Sequence, residues 1–143
     1  MLKEDRTQER KDLLLSEVTE RLRYGLKARV LGWDEEKEEE VHVALTIYSV
    51  NTDGYVYFEA NDYDVNYIPV ENVELYLRPM SSMTKEEQEK LDNILFDIEH
   101  SKQSFYAAQL RVFEFMWKHH LDLRGLTQFG LALEAPDGMY DIQ

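Results

Sequence analysis

No cysteine occurs among the 143 residues, so disulfide bonds, a thiolate nucleophile and cysteine-ligated zinc or iron–sulfur centres are all excluded. No stretch approaches the roughly twenty apolar residues that a helical membrane span requires. The opening residues, MLKEDRTQERKD, are charged where a secretory signal peptide would carry an apolar run, which leads us to expect a cytoplasmic protein. Internal repeats and low-complexity linkers are missing too. A single domain over 1–143, large enough at 17.0 kDa for an ordinary core, is the expectation.

Motifs that carry chemistry are just as scarce. There is no Gly-x-Ser-x-Gly elbow, and Ser81 and Ser82 fall in a helix-entry loop. Nor is there a glycine-rich phosphate loop. Asp62, Asp64 and Asn66 begin like a calcium loop, but Tyr67 stands where its glycine is needed and Val73 where its bidentate glutamate should be. They read as a turn. His119, His120, Asp122 and Arg124 make the one dense polar cluster. Adjacent histidines on a helix point about 100° apart, and neither His-x-x-x-His nor His-x-x-Glu-His spacing is present. The histidines are therefore assigned to capping a helix C-terminus and offsetting its dipole. No catalytic residue, metal site or cofactor is expected, and the chain reads as non-enzymatic.

Positive charge is in short supply. Lys and Arg number 16 against 29 Asp and Glu, for a net charge of −13. Residues 1–33 carry eight basic and six acidic side chains, 34–100 four and eighteen, and 101–143 four and five. The acidity thus lies on the middle of the chain, where it repels phosphate backbones. Such a surface keeps a protein soluble, meets a basic partner, or imitates nucleic acid.

What the chain does contain is a clear alternation at its centre. Val41, Val43, Leu45 and Ile47 fall on every second position, the period of a half-buried strand. Asn51-Thr52-Asp53-Gly54 turns the chain, and residues 55–60 return as the partner strand. A second turn at 61–64 leads to a strand at 65–68. Pro69, which has no N–H, belongs at a sheet edge or strand end. One helical turn over 70–73 and a last strand at 74–78 complete a plan seen in small SH3-like and Sm-like barrels. That likeness is of pattern only, and a twisted open sheet is the competing reading. With a first short strand at 27–31, the expected sheet spans 27–78 and has about four to five antiparallel strands. Gly32-Trp33 reads as a turn, and 34–40 as an exposed, mobile acidic hairpin tip.

Helices flank this sheet, so the fold class is α+β. Thr7 caps a helix over 7–24 with an apolar stripe of Leu14, Leu15, Val18, Leu22 and Leu26, and Gly25 ends it. Residues 84–120 hold two more helices. The first opens with a Thr84–Glu87 capping box and the second with Ser101 or Ser104. In the second, Tyr106, Leu110, Phe113 and Trp117 form one line, while Phe105, Val112, Phe115 and Met116 occupy other faces. Such a helix either covers the sheet or forms a dimer. The tail, 121–143, is expected to pack back as a short turn or strand.

The stretches Tyr76-Leu-Arg-Pro-Met-Ser-Ser-Met-Thr-Lys-Glu-Glu87, His119-His-Leu-Asp-Leu-Arg-Gly-Leu126 and Leu131-Ala-Leu-Glu-Ala-Pro-Asp-Gly-Met-Tyr140, with Arg23-Tyr-Gly-Leu-Lys27, carry a resemblance. The combination resembles a group of small proteins of unassigned function from Bacteroides and relatives, many encoded in phage or mobile-element regions. The resemblance implies a bacterial cytoplasmic origin and supplies no activity, ligand or catalytic residue. The expected role is a protein-interaction module, with self-association as one form. Its contact residues are Trp33, Glu35, Glu36, Glu38, Glu39, Phe113 and Trp117. An acidic imitation of nucleic acid and a small-barrel RNA binder that uses the basic end of the first helix are the alternatives.

Overall fold

The structure, a computed structural model, describes residues 3–100 and 104–140, with side chains from Gln8 onward. Helix α1, Lys3–Arg21, leads through a 3₁₀ turn at Leu22–Tyr24 to Gly25, which takes the left-handed conformation at φ +74° and ends the helix. The helix starts four residues before Thr7, so Thr7 is an interior residue and not the cap.

Strand β1, Lys27–Asp34, pairs along its whole length with β2, Glu39–Val50. The hairpin is longer than expected. Gly32 and Trp33 lie opposite Val41 and Glu40 inside the ladder and do not form a turn. Tyr63 packs closely over Gly32: a Cβ there would sit 3.1 Å from Tyr63 Cβ, so a larger residue would have to push that ring aside by a few tenths of an ångström. The connection shrinks to residues 35–38, which form an exposed turn. The Asp34 carboxylate accepts hydrogen bonds from the N–H groups of Glu36 (3.0 Å) and Lys37 (3.2 Å). The apolar alternation of β2 is present as expected, with Leu45 and Ile47 buried and His42 and Tyr48 facing out.

The register slips between Ile47 and Ser49, a bulge that bends β2 before it pairs with β3, Tyr55–Phe58. Strand β4, Tyr67–Pro69, starts two residues later than expected, forms one edge of the sheet and places Pro69 at a strand end. A 3₁₀ turn at Val70–Asn72 leads into β5, Glu74–Leu77, which pairs back with β1. Beyond it lie α2, Lys85–His100, and α3, Phe105–Lys118. Ser104 caps α3 by accepting from Ala107 N–H, whereas Ser101 lies outside the described residues. A 3₁₀ turn at Leu126–Phe129 precedes β6, Ala132–Glu134, which pairs parallel with β5.

The sheet therefore has six strands in the order β4-β3-β2-β1-β5-β6, curled into a half-barrel. Two expectations are corrected by β6: there are more than four to five strands, and the sheet is mixed rather than purely antiparallel. The chain leaves β5, forms two helices and returns in the same direction, and a parallel neighbour requires such a crossover.

Helix α1 fills the concave side. Leu14 and Val18 join Val30, Ile47, Val56 and Leu75 in one buried cluster. The expectation that the aromatic helix covers the sheet is wrong. Leu91 of α2, Phe115 and Met116 of α3, and Leu121 form a separate small cluster, and Phe105, Tyr106, Leu110 and Phe113 of α3 are exposed. The apolar area of the sheet is already taken up by α1 and Leu126, so α3 has no place against it.

Candidate functional site

The expected polar cluster lies at the junction of these two cores, and it proves larger than the sequence indicated. Its centre is the buried Arg78, at the end of β5. The guanidinium makes a bidentate bond to Glu87, both contacts at 2.7 Å, and also donates to the carbonyls of His119 (3.1 Å) and Ser82 (3.0 Å). Glu87 is the acidic member of the capping box. Its Oε1 accepts from Thr84 N–H at 2.8 Å, and its own N–H donates to Thr84 Oγ1 at 3.1 Å. His119 Nδ1 lies 2.6 Å from Glu87 Oε2, so both carboxylate oxygens are engaged twice.

A second group ties the same segment to α1. Arg21 and Glu17 form an ion pair, both 1% exposed, and Arg21 also donates to the Leu121 carbonyl. Arg124 reaches Glu17 (2.6 Å) and makes two bonds to Glu20, both 2.9 Å. Asp122 caps the following 3₁₀ turn, accepting from the N–H of Leu126 (2.8 Å) and from the N–H and hydroxyl of Thr127 (3.0 and 2.8 Å). His120 takes a left-handed backbone, φ +56°, sends Nε2–H to the Tyr24 carbonyl at 2.8 Å and stacks on Tyr140 at 3.9 Å between ring centres. Tyr140 in turn donates to the Tyr76 carbonyl at 2.7 Å.

The two histidines diverge, one toward α2 and the other toward α1 and the tail. His119 caps the C-terminus of α3 as expected, its N–H donating to the Phe115 carbonyl, but the expected role of the histidines as cations there is corrected. Burial lowers the pKa of both, in His119 against the pull of Glu87 and in His120 to about 4. The buried His120 Nδ1 has no partner, so a second proton there would gain no hydrogen bond. Burial would raise the Glu87 carboxyl, but hydrogen bonds from Arg78 and Thr84 and the charges of Arg78 and His119 outweigh it and hold Glu87 at about 2. Among the described residues no group of three or more His, Asp or Glu is placed to hold a metal ion. His119, His120, Asp122 and Arg124 serve instead as a clasp joining α1, β5, α2, α3 and the tail. Sequence reasoning missed Glu17, Glu20, Arg21, Arg78 and Tyr140 as members. The capping box was the one local signal that pointed to Glu87.

The other candidate residues lie on separate elements. Trp33 is half exposed on β1, and Glu35, Glu36, Glu38 and Glu39 stand at the hairpin tip beside it. Phe113 and Trp117 stack on α3 with ring centres 6.0 Å apart. They continue the line of Tyr106, which is 82% exposed, and Leu110, 48% exposed. No protein-family model, curated protein or solved structure matches this chain.

The clasp generates two expectations. Glu87→Gln leaves Arg78 buried without a counter-charge and should lower unfolding free energy by about 3 kcal/mol in urea denaturation at neutral pH. For His120, the folded pKa lies below the unfolded value of 6.5, so the unfolded chain binds more protons between pH 6.5 and 4. Stability is fully present above that window and lost on descending through it, by on the order of 3 kcal/mol. Urea titrations of His120→Asn, which tolerates positive φ, should show a markedly flatter pH dependence across the window.

Proposed function

We propose that this protein is a non-enzymatic protein-interaction module that associates with a second copy of itself through the outward face of α3. One observation carries the reading: Tyr106, Leu110, Phe113 and Trp117 recur at intervals of four, three and four residues, the spacing of a helix-packing seam, and Tyr106 and Leu110 at its open end leave much of their surface uncovered by the described chain. Leu123, 43% exposed, extends the stripe. The exposed parts of Tyr106 and Leu110, with the partly exposed Phe113 and Trp117, would form the apolar centre of such an interface, and flanking residues would supply the rest of the ~1,200 Å² at the lower end of specific interfaces. A twofold axis would set the stripe against its own copy, which suits a self-complementary apolar face.

We also read the first five strands as an SH3-like or Sm-like barrel left open. Support comes from β1 lying between β2 and β5 and from the single 3₁₀ turn joining β4 to β5. That likeness names no activity.

In size-exclusion chromatography with light scattering, the wild type should elute at twice 17.0 kDa. The double variant Tyr106→Ser, Leu110→Ser should run as a folded monomer. A wild type that stays monomeric at high micromolar concentration would sink this reading.

The exposed acidic turn beside Trp33 favours a second reading, an imitation of nucleic acid directed at a DNA-binding protein. Replacing Glu35, Glu36, Glu38 and Glu39 with Gln should then abolish pull-down of a DNA-binding partner, and moderate salt should weaken the wild-type complex. Retention of that partner by the quadruple variant argues against it.

A further inference from the structure

A groove of about 600 Å³ runs between α2, α3 and the end of α1, within the range of small-molecule sites. It occupies a different face of α3 from the apolar stripe, so binding there does not depend on self-association. In a chain of net charge −13, the groove reverses the prevailing sign: Arg23, Lys90, Arg111 and Lys118 line it against only Asp97 and Glu114.

These cations are not equally engaged. Arg111 lies 3.6 Å from Asp97, and Arg23 sits over the Tyr24 ring at 4.7 Å. Lys90 and Lys118 are exposed and have no ionic partner among the described residues. Two unpaired ammonium groups flanking a concave surface favour an anion, because they lose little existing interaction on binding one.

The lining adds two further features. Ile94 and the buried Phe115 make part of it apolar. His119 also lines the groove. Its Nδ1 is held by Glu87 at 2.6 Å. The clasp therefore fixes the imidazole that forms this part of the groove wall.

We propose that this groove binds a small phosphate monoester, its phosphate held between Lys90 and Lys118 and its apolar or aromatic body against Ile94 and Phe115. The phosphate supplies the charge that the two lysines lack. The organic body takes up apolar surface that inorganic phosphate would leave wet.

Isothermal titration calorimetry with phenyl phosphate, inorganic phosphate and phenol tests this. Phenyl phosphate should bind at least tenfold more tightly than either fragment. Lys90→Gln and Lys118→Gln should each weaken it fivefold or more, whereas Lys37→Gln on the β1–β2 turn should leave it unchanged. Glu114→Gln removes a carboxylate from the groove and should tighten binding about threefold, a gain that misfolding cannot imitate. The proposal is overturned by absent binding, by phenol binding as well as phenyl phosphate, or by Lys37→Gln weakening it as much as the groove variants.

Discussion

One buried guanidinium fastens the two later helices and the tail to the sheet. Arg78 enters the interior at the end of β5, and a buried charge without compensation costs several kcal/mol. Its compensation comes from three directions: Glu87 at the start of α2, the carbonyl of Ser82 in the preceding loop and the carbonyl of His119 at the end of α3. Moving any one of these elements would leave part of the guanidinium unsatisfied. Such networks contribute less to net stability than to specifying one arrangement, and here the arrangement specified is the angle at which two helices leave the sheet. The neighbouring backbone follows the same course. Arg78 N–H donates to the His120 carbonyl and its carbonyl accepts from Asp122 N–H, both at 2.7 Å, so the segment after α3 runs beside β5 and is aimed toward the β6 pairing.

This polar junction explains how a chain of this size carries two unequal hydrophobic clusters. The larger lies between α1 and the curled sheet and is closed by Leu126 and Ala132 from the tail. The smaller consists of little more than Leu91, Phe115, Met116 and Leu121. A helical pair with so few buried side chains would not dock firmly through apolar contact alone. Ion pairing and capping at its base do the docking, and the helices are then free to expose most of their length. Helix α3 consequently presents three different faces. One is buried against α2, one carries Arg111, Glu114 and Lys118 along the groove, and one bears the aromatic line.

The features that could be read from the sequence are those in which local chemistry decides the outcome. Alternation in β2 reports a strand with one covered face whichever element covers it. Thr84 and Glu87 lie three residues apart and cap a helix wherever it goes. Gly25 can adopt positive φ without help. What escaped was decided by distant partners. Gly32 looks like a turn residue, and only the close packing of Tyr63 shows why a residue without a side chain suits that place inside a strand. The three residues of β6 have no pattern of their own and become a strand because β5 offers a free edge. Arg21 and Arg78 belong to a residue type that is rarely buried, and their partners lie up to a hundred positions away. Helix α3 is apolar on two sides, and its sequence does not say which one the fold uses.

The distribution of charge follows from the same division. Carboxylates at the hairpin tip stand in water, where like charges repel weakly and favour solubility. Those at the junction, Glu17, Glu20 and Glu87, are consumed by Arg21, Arg78 and Arg124. The clasp uses up acidic groups where α1 meets the helical pair, so the adjoining groove is left with an excess of lysine and arginine that the overall composition conceals. A network that orients α2 and α3 therefore also sets the local electrostatic sign. The groove of this acidic protein suited to an anion lies directly beside the contacts that hold its two cores together.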